Sequence, residues 1–233
     1  MLARRLFPVY LLTGLTLIAF FYLIRSQDVI SVPIFLGSNQ FHRPPVKDGQ
    51  FPWSTRPEKH PVSSLIPLPT GYPVKIPSIQ HKFAPESAQA LLKRNKCREK
   101  VEETFTRAWN GYREHAWMKD ELAPISGSSR NHFGGWAATL VDSLDTLWIM
   151  DMKEEFEQAV ESVKNIDFTT TEEEEINTFE TTIRYLGGLL AAFDLSDGKY
   201  PILLNKAVEL GDMLYAAFDT PNRMPITRWH WKM

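Results

Sequence analysis

Eleven of the sixteen prolines in this 233-residue chain fall between residues 26 and 85. Proline fixes φ and removes a backbone donor, so stretches such as FHRPPVKDGQFPWSTRPEKHP and LIPLPTGYPVKIPS suit neither a helix nor a central strand. Residues 26–85 are therefore expected to form an extended, semi-rigid stem, a spacer rather than a proline-rich ligand for an adaptor domain. A packed core has to come from residue 86 onward, and there the pattern changes.

The segment before the stem constrains the chain differently. MLARR precedes LFPVYLLTGLTLIAFFYLI, an uncharged run of 19 residues at positions 6–24. At ~1.5 Å per helical residue this nearly crosses a hydrocarbon core of ~30 Å. Arg4, Arg5 and the amino group lie on its short side, which favours a cytoplasmic N-terminus. FFYLIRSQ lacks the small residues of a cleavage site, so an uncleaved signal anchor is expected rather than a removed signal peptide. Residues 1–25 are then a cytoplasmic tip and transmembrane helix, 26–85 a luminal stem, and 86–233 the folded domain.

That domain reads as all-α. SAQALLKRNKCREKVEETFTRAWNGYREHAW (87–117) carries Val101, Phe105, Ala108, Trp109 and Tyr112 at helical spacing. WAATLVDSLDTLWIM (136–150) reads as one mostly buried helix. MKEEFEQAVESVKNI (152–166) is amphipathic, with Phe156, Val160 and Val163 on one side. INTFETTIRYLGGLLAAFDLS and KYPILLNKAVELGDMLYAAF are two more helices, the last with Pro201 in its first turn. No strand alternation is visible. Very apolar helices alternate with amphipathic ones, as in stacked hairpins with inner and outer layers. A net charge of -2 gives no reason to expect nucleic acid. Cys97 is the only cysteine, so an intrachain disulfide is excluded, and a lone cysteine of this kind reads as a small buried hydrophobe.

Acidic residues interrupt the apolar helices. Glu180 sits at the edge of a buried stripe, followed by Gly187 and Gly188, each unfavourable in a helix by about 1 kcal/mol relative to alanine. Asn177 suits an N-cap, which makes Glu180 the third helical residue, and Arg184 stands four residues on for an ion pair of ~0.3–0.5 kcal/mol. A cap, an ion pair and a functional carboxylate are all open for Glu180. Asp142 and Asp145 interrupt VDSLDTLWIM, and they either cap a helix end or face a polar cavity. The run Glu172–Glu175 reads as a solvated turn. Consecutive glutamates lack the alternation and glycine of a calcium loop.

GGWAATLVDSLDTLWIM followed by NTFETTIRYLGGLLAAFDLS closely resembles glycoside hydrolase family 47, the class I α-1,2-mannosidases that trim N-linked high-mannose glycans. YREHAWMKDELAPISG and VKIPSIQHKF resemble fungal members. The resemblance extends over about residues 75–233. It implies the N-terminal part of an (αα)7 barrel, dependence on Ca2+, and hydrolysis with inversion. Inversion uses a carboxylic acid to protonate the leaving oxygen and a carboxylate to activate water, about 6.5–9.5 Å apart. By motif match Glu180 corresponds to the general acid, Arg184 to an arginine beside it, and Asp142 to an acidic residue of the site. Asp145 has a weaker match, and Glu121 of the DEL motif is matched to the sugar-binding rim. The resemblance also implies a Golgi membrane protein of type II, with the endoplasmic reticulum as the alternative compartment.

A catalytic domain of this kind needs about twice the helices read here. The general base, a further aspartate, the calcium-binding threonine and the family's disulfide are expected in a C-terminal half that this sequence lacks. Hydrolysis by the 233 residues alone is not expected. RWHW (228–231) reads as an edge rather than a binding motif, with Trp229 and Trp231 short of packing partners. The competing reading is a non-catalytic, membrane-tethered protein that holds mannose glycans or a partner. A helical-repeat scaffold is disfavoured because no regular self-similarity appears.

Overall fold

The computed structural model describes residues 46–64, 66–67, 71, 77 and 79–232. The apolar run at 6–24 lies outside them. Among the described residues no helix is long and apolar enough to cross a membrane.

Helix α1 (Ala88–His115) starts at Ser87, whose hydroxyl oxygen accepts the Ala90 N–H at 3.2 Å. That satisfies one of the orphan donors of the first turn. Only Trp109 and Tyr112 of this helix are buried. Leu91, Leu92 and Val101 stay exposed. Cys97 lies on this outer part and is a surface thiol rather than the buried hydrophobe expected, because α1 reaches the core through its C-terminal half.

Strands are present, against expectation. β1 (Glu121–Ala123) pairs antiparallel with β2 (Ser128–Arg130). β3 (Glu175–Asn177) pairs antiparallel with the distant β4 (Arg228–His230). Three residues hold too little alternation for a period of two to register.

The stretch read as one helix at 136–150 is two, α2 (Ala138–Asp142) and α3 (Leu144–Ile149). The break falls at Ser143, whose hydroxyl donates to the Thr139 carbonyl at 2.6 Å while its N–H is shared between the Thr139 and Leu140 carbonyls. Side-chain bonding of this kind competes with the helical ladder. α4 (Lys153–Val163) buries Phe156, Val160 and Val163, as its periodicity requires. Next come α5 (Thr178–Thr181), a π-helical turn (Thr182–Leu186) and α6 (Gly187–Leu195), which run on without interruption. α7 (Pro201–Ala216) carries Pro201 in its first turn. α3 packs on α4 and α6, and α7 packs on the same two. Between them lies a core that includes Leu144, Leu147, Phe156, Leu189, Leu203 and Leu210, all 0% exposed.

Part of the proline-rich zone packs on this helical body. Trp53 is buried, and its indole N–H donates to the Thr169 carbonyl at 2.9 Å. Asp219, just beyond α7, accepts the N–H groups of Lys59 and His60, both at 2.8 Å, and pairs with Arg56 at 3.4 Å. Trp229 and Trp231 are therefore not short of partners. Trp229 meets Trp53 edge-on at 5.5 Å, and the Trp231 indole N–H donates to the Glu173 carbonyl at 2.8 Å. Trp229 finds its partner upstream, in the segment read as a separate stem.

Candidate active site

The site is built on the N-terminus of α5. The side-chain oxygen of Asn177 accepts the Glu180 N–H at 3.2 Å, so Asn177 is the N-cap and Glu180 the third helical residue. One turn on, Arg184 Nε donates to Glu180 Oε2 at 2.7 Å, and its Nη1 donates to Asp142 Oδ2 at 2.8 Å. The two helical motifs thus converge on one guanidinium, shared between carboxylates from α2 and α5. The side chains of Arg184, Asp142 and Glu180 are 36%, 31% and 28% exposed, so water reaches all three. The Phe133 ring covers the guanidinium carbon at 4.6 Å, a cation–π contact on its flat face.

Electrostatics separate the members of this cluster. Burial pushes the Asp142 carboxyl above the usual aspartate range. The Arg184 bond and charge oppose the rise, while the charges of Asp145 and Glu180 add to it. The Arg184 guanidinium is held up first by its bond to Glu180 and then by Asp142, against burial. The π-helical turn carries Arg184 midway. Such turns occur often at functional sites.

A cleft of about 490 Å³ opens beside the cluster. Glu180 and Thr181 form one wall, and Phe133 and Trp136 another. Glu172–Glu175 line it as well, with Arg228 and His230 from β4. Glu180 reaches the cleft, whereas Arg184 and Asp142 are not part of its lining. The glutamate run is the largely exposed turn expected, and it also walls the cleft, with Glu175 pinned in β3 and the Glu173 carbonyl held by the Trp231 indole. RWHW is a paired strand at the same cleft, not an edge. Its pairing partner lies too far away in sequence for any local pattern to reveal.

Asp145 lies in the first turn of α3, where its Oδ1 accepts the Thr146 hydroxyl at 3.2 Å. It acts on Asp142 through charge. Glu121 stands on β1, paired with Arg130 at 3.8 Å and outside the cleft lining. Its neighbour Asp120 carries no sequence signal, although it is fully buried and accepts hydrogen bonds from the 133–135 loop, the start of α2 and Tyr185. A charged residue flanked by Lys119 and Glu121 shows no sequence sign of burial. Among the described residues, no group of three or more His, Cys, Asp or Glu side chains is placed to hold a metal ion.

The helical body and its cleft fit a known class. The fold superposes on an α-1,2-mannosidase from Trichoderma reesei with a TM-score of 0.56 and 33% sequence identity, covering 59% of this chain and 31% of that one. The model of glycosyl hydrolase family 47 matches residues 104–233, and the chain belongs to that family. The mannosyl-oligosaccharide 1,2-alpha-mannosidase MNS1 of Arabidopsis thaliana is 46% identical over 129 residues, which is 55% of this chain and 22% of that protein. A mannosyl-oligosaccharide alpha-1,2-mannosidase of Coccidioides posadasii is 39% identical over 163 residues, 65% of this chain and 31% of that protein. The endoplasmic reticulum mannosyl-oligosaccharide 1,2-alpha-mannosidase of Rattus norvegicus is 43% identical over 132 residues, 56% and 19% respectively. The chain thus spans between 19% and 31% of the length of these relatives.

Proposed function

We propose that this chain carries the acid side of a mannosyl-oligosaccharide 1,2-α-mannosidase, acting on α-1,2-linked mannose of N-linked high-mannose glycans. One observation carries the reading. Glu180 lines the cleft and is oriented by Arg184 from behind, within the region that matches family 47. In this role Glu180 gives its proton to the glycosidic oxygen as the bond breaks, and its other oxygen stays tied to Arg184. Asp142 holds the second arm of the guanidinium, so the Glu180–Arg184 pair cannot swing freely. The glutamate wall and the ring of Trp136 offer acceptors and an apolar face for sugar hydroxyls and ring carbons. Glu121 is assigned an outer contact with longer glycans. A calcium ion, which the family resemblance implies, would be held by residues outside this chain and would supply positive charge for sugar binding. The Golgi membrane is the proposed location, through the 6–24 segment, with the endoplasmic reticulum as alternative.

The test is release of mannose from an α-1,2-linked mannobiose and from a high-mannose glycan, with calcium and with a chelator. The 233 residues alone are expected to release none, since they span less than a third of the relatives' length. Joined to the C-terminal part of the Coccidioides relative, the chain is expected to turn over with inversion. Glu180→Gln in that fusion is then expected to lose about 10²–10⁴-fold in kcat. Full activity of Glu180→Gln would remove the acid role. Glycan binding without turnover in the fusion would favour a non-catalytic glycan-binding protein instead.

A further inference from the structure

Asp120 is 0% exposed and carries no part of the proposed chemistry. Four donors converge on its carboxylate. Oδ2 accepts the N–H groups of Phe133 and Gly135, both at 2.8 Å. Oδ1 accepts the Ala138 N–H at 3.2 Å and the Tyr185 hydroxyl at 3.1 Å. Its backbone carbonyl takes the Thr139 N–H at 2.9 Å and the Thr139 hydroxyl at 2.7 Å.

The donors come from three supports of the site, the loop of Phe133 and Gly135, the start of α2 and the π-helical turn. Phe133 is the residue whose ring covers Arg184. Ala138 and Thr139 open α2, the helix that ends at Asp142. No side chain caps α2 locally, and Ala137 is forced to a φ of 60° there. Such a conformation persists in a non-glycine residue only when the surroundings fix it. Asp120 provides that fixing, and a negative charge at a helix N-terminus is favourable as well. Tyr185 follows Arg184 in the π-helical turn, and its single hydroxyl proton is shared between Asp120 and the Phe133 carbonyl, the latter at 2.6 Å. Asp120, Tyr185 and Phe133 therefore close a hydrogen-bonded triangle that meets the arginine through the Phe133 ring.

We infer that Asp120 is a positioning residue that sets Asp142, Arg184 and Phe133 relative to one another. The inference rests on the role given above to Glu180 and Arg184. An asparagine has the same shape but only one accepting oxygen, so Asp120→Asn leaves two of the four donors facing an amide nitrogen that cannot accept. The Phe133 loop, the start of α2 and Tyr185 then no longer share one anchor.

The experiment is an NMR titration of the Asp142 carboxyl in the full 233-residue chain and its variants, beside a thermal melt of each. Asp142 is faced by Arg184, Glu180 and Asp145, and Arg184 alone of these draws its titration down. Loss of the Asp120 charge alone would lower the Asp142 titration; if Asp120 sets the arginine, the loosened Arg184 outweighs this and folded Asp120→Asn titrates Asp142 at higher pH than the wild type. Tyr185→Phe, which loses one hydroxyl and no packing, moves it the same way by less. An unmoved or lowered Asp142 in a cooperatively melting Asp120→Asn, together with an unmoved one in the charge-neutral Tyr185→Phe, overturns the inference and leaves Asp120 a core residue only. If Asp120→Asn does not melt cooperatively, Tyr185→Phe decides by the same criterion. No turnover enters this readout, so failure of the mannosidase reading appears in the hydrolysis assay and not here.

Discussion

Gly187 and Gly188 are adjacent in one helix, yet only one of them is required there. A Cβ on Gly188 would stand 2.8 Å from the Val141 carbonyl oxygen and 3.1 Å from Val141 Cγ1. That is a backbone obstacle, so α6 would have to move away from α2. Gly188→Ala is expected to destabilise the fold by about 1–3 kcal/mol. A Cβ on Gly187 meets only the Thr182 carbonyl, at an ordinary 3.7 Å, and helical alanine is preferred over glycine. Gly187→Ala is expected to stabilise by about 0.5–1 kcal/mol. Urea melts of the two variants decide the matter, and equal effects would sink the distinction. The sequence flagged both glycines because their helical penalty is local. Which one touches a neighbour depends on the approach of α2, which no local pattern encodes. The same divide runs through the site. Asn177, Glu180 and Arg184 lie within eight residues and were legible as cap and ion pair. The bridge to Asp142 needs a second helix at the right place, and only the family resemblance pointed there.

At the level of elements, the segment around Trp53 and the end of α7 hold each other through Asp219. Burial on its own would push this carboxyl up, but the N–H groups of Lys59 and His60, with the Arg56 charge, outweigh it and leave it below the ordinary 3.8. Below pH 3.8 and above the lowered folded value, the unfolded chain binds more protons than the folded one. Stability there rises with pH, so the contribution is complete above 3.8 and is lost as pH falls through the folded value. Asp219→Asn is expected to flatten this acid limb and to expose residues 56–60 to protease at neutral pH. An unchanged limb together with an unchanged cleavage pattern would show that Asp219 does not hold the segment. Among the described residues of the proline-rich zone only the short turn Trp53–Thr55 is helical and none lies in a strand, which is what proline does to a local backbone. Proline content could not show where that backbone lies, because Trp53, Lys59 and His60 are held by loop residues more than a hundred positions away. The four strands escaped notice for a related reason, being defined by their partners more than by their own residues.

For the whole molecule, the helical body is only partly covered. Phe179, Ile183 and Leu190 are 62%, 52% and 38% exposed along the site helix, and Ile149, the last residue of α3, is 70% exposed. Apolar surface of this kind marks a contact or an aggregation liability. The double variant Phe179→Ser, Ile183→Ser is expected to lower self-association in light scattering, while changing stability by less than about 0.5 kcal/mol per site. Equal association of variant and wild type would show that this surface is not the sticky one.

β3 and β4 join residues on either side of α5, α6 and α7, and this sets an order in time. A ribosome delivers Glu172–Glu175 and Glu180 long before Arg228–His230. The acidic wall can therefore take its place only after almost all of the helical body has been synthesised, when Ile176 at last meets Trp229. During translation the cluster around Arg184 can assemble first, from residues 120–185. The cleft beside it waits for the late strand.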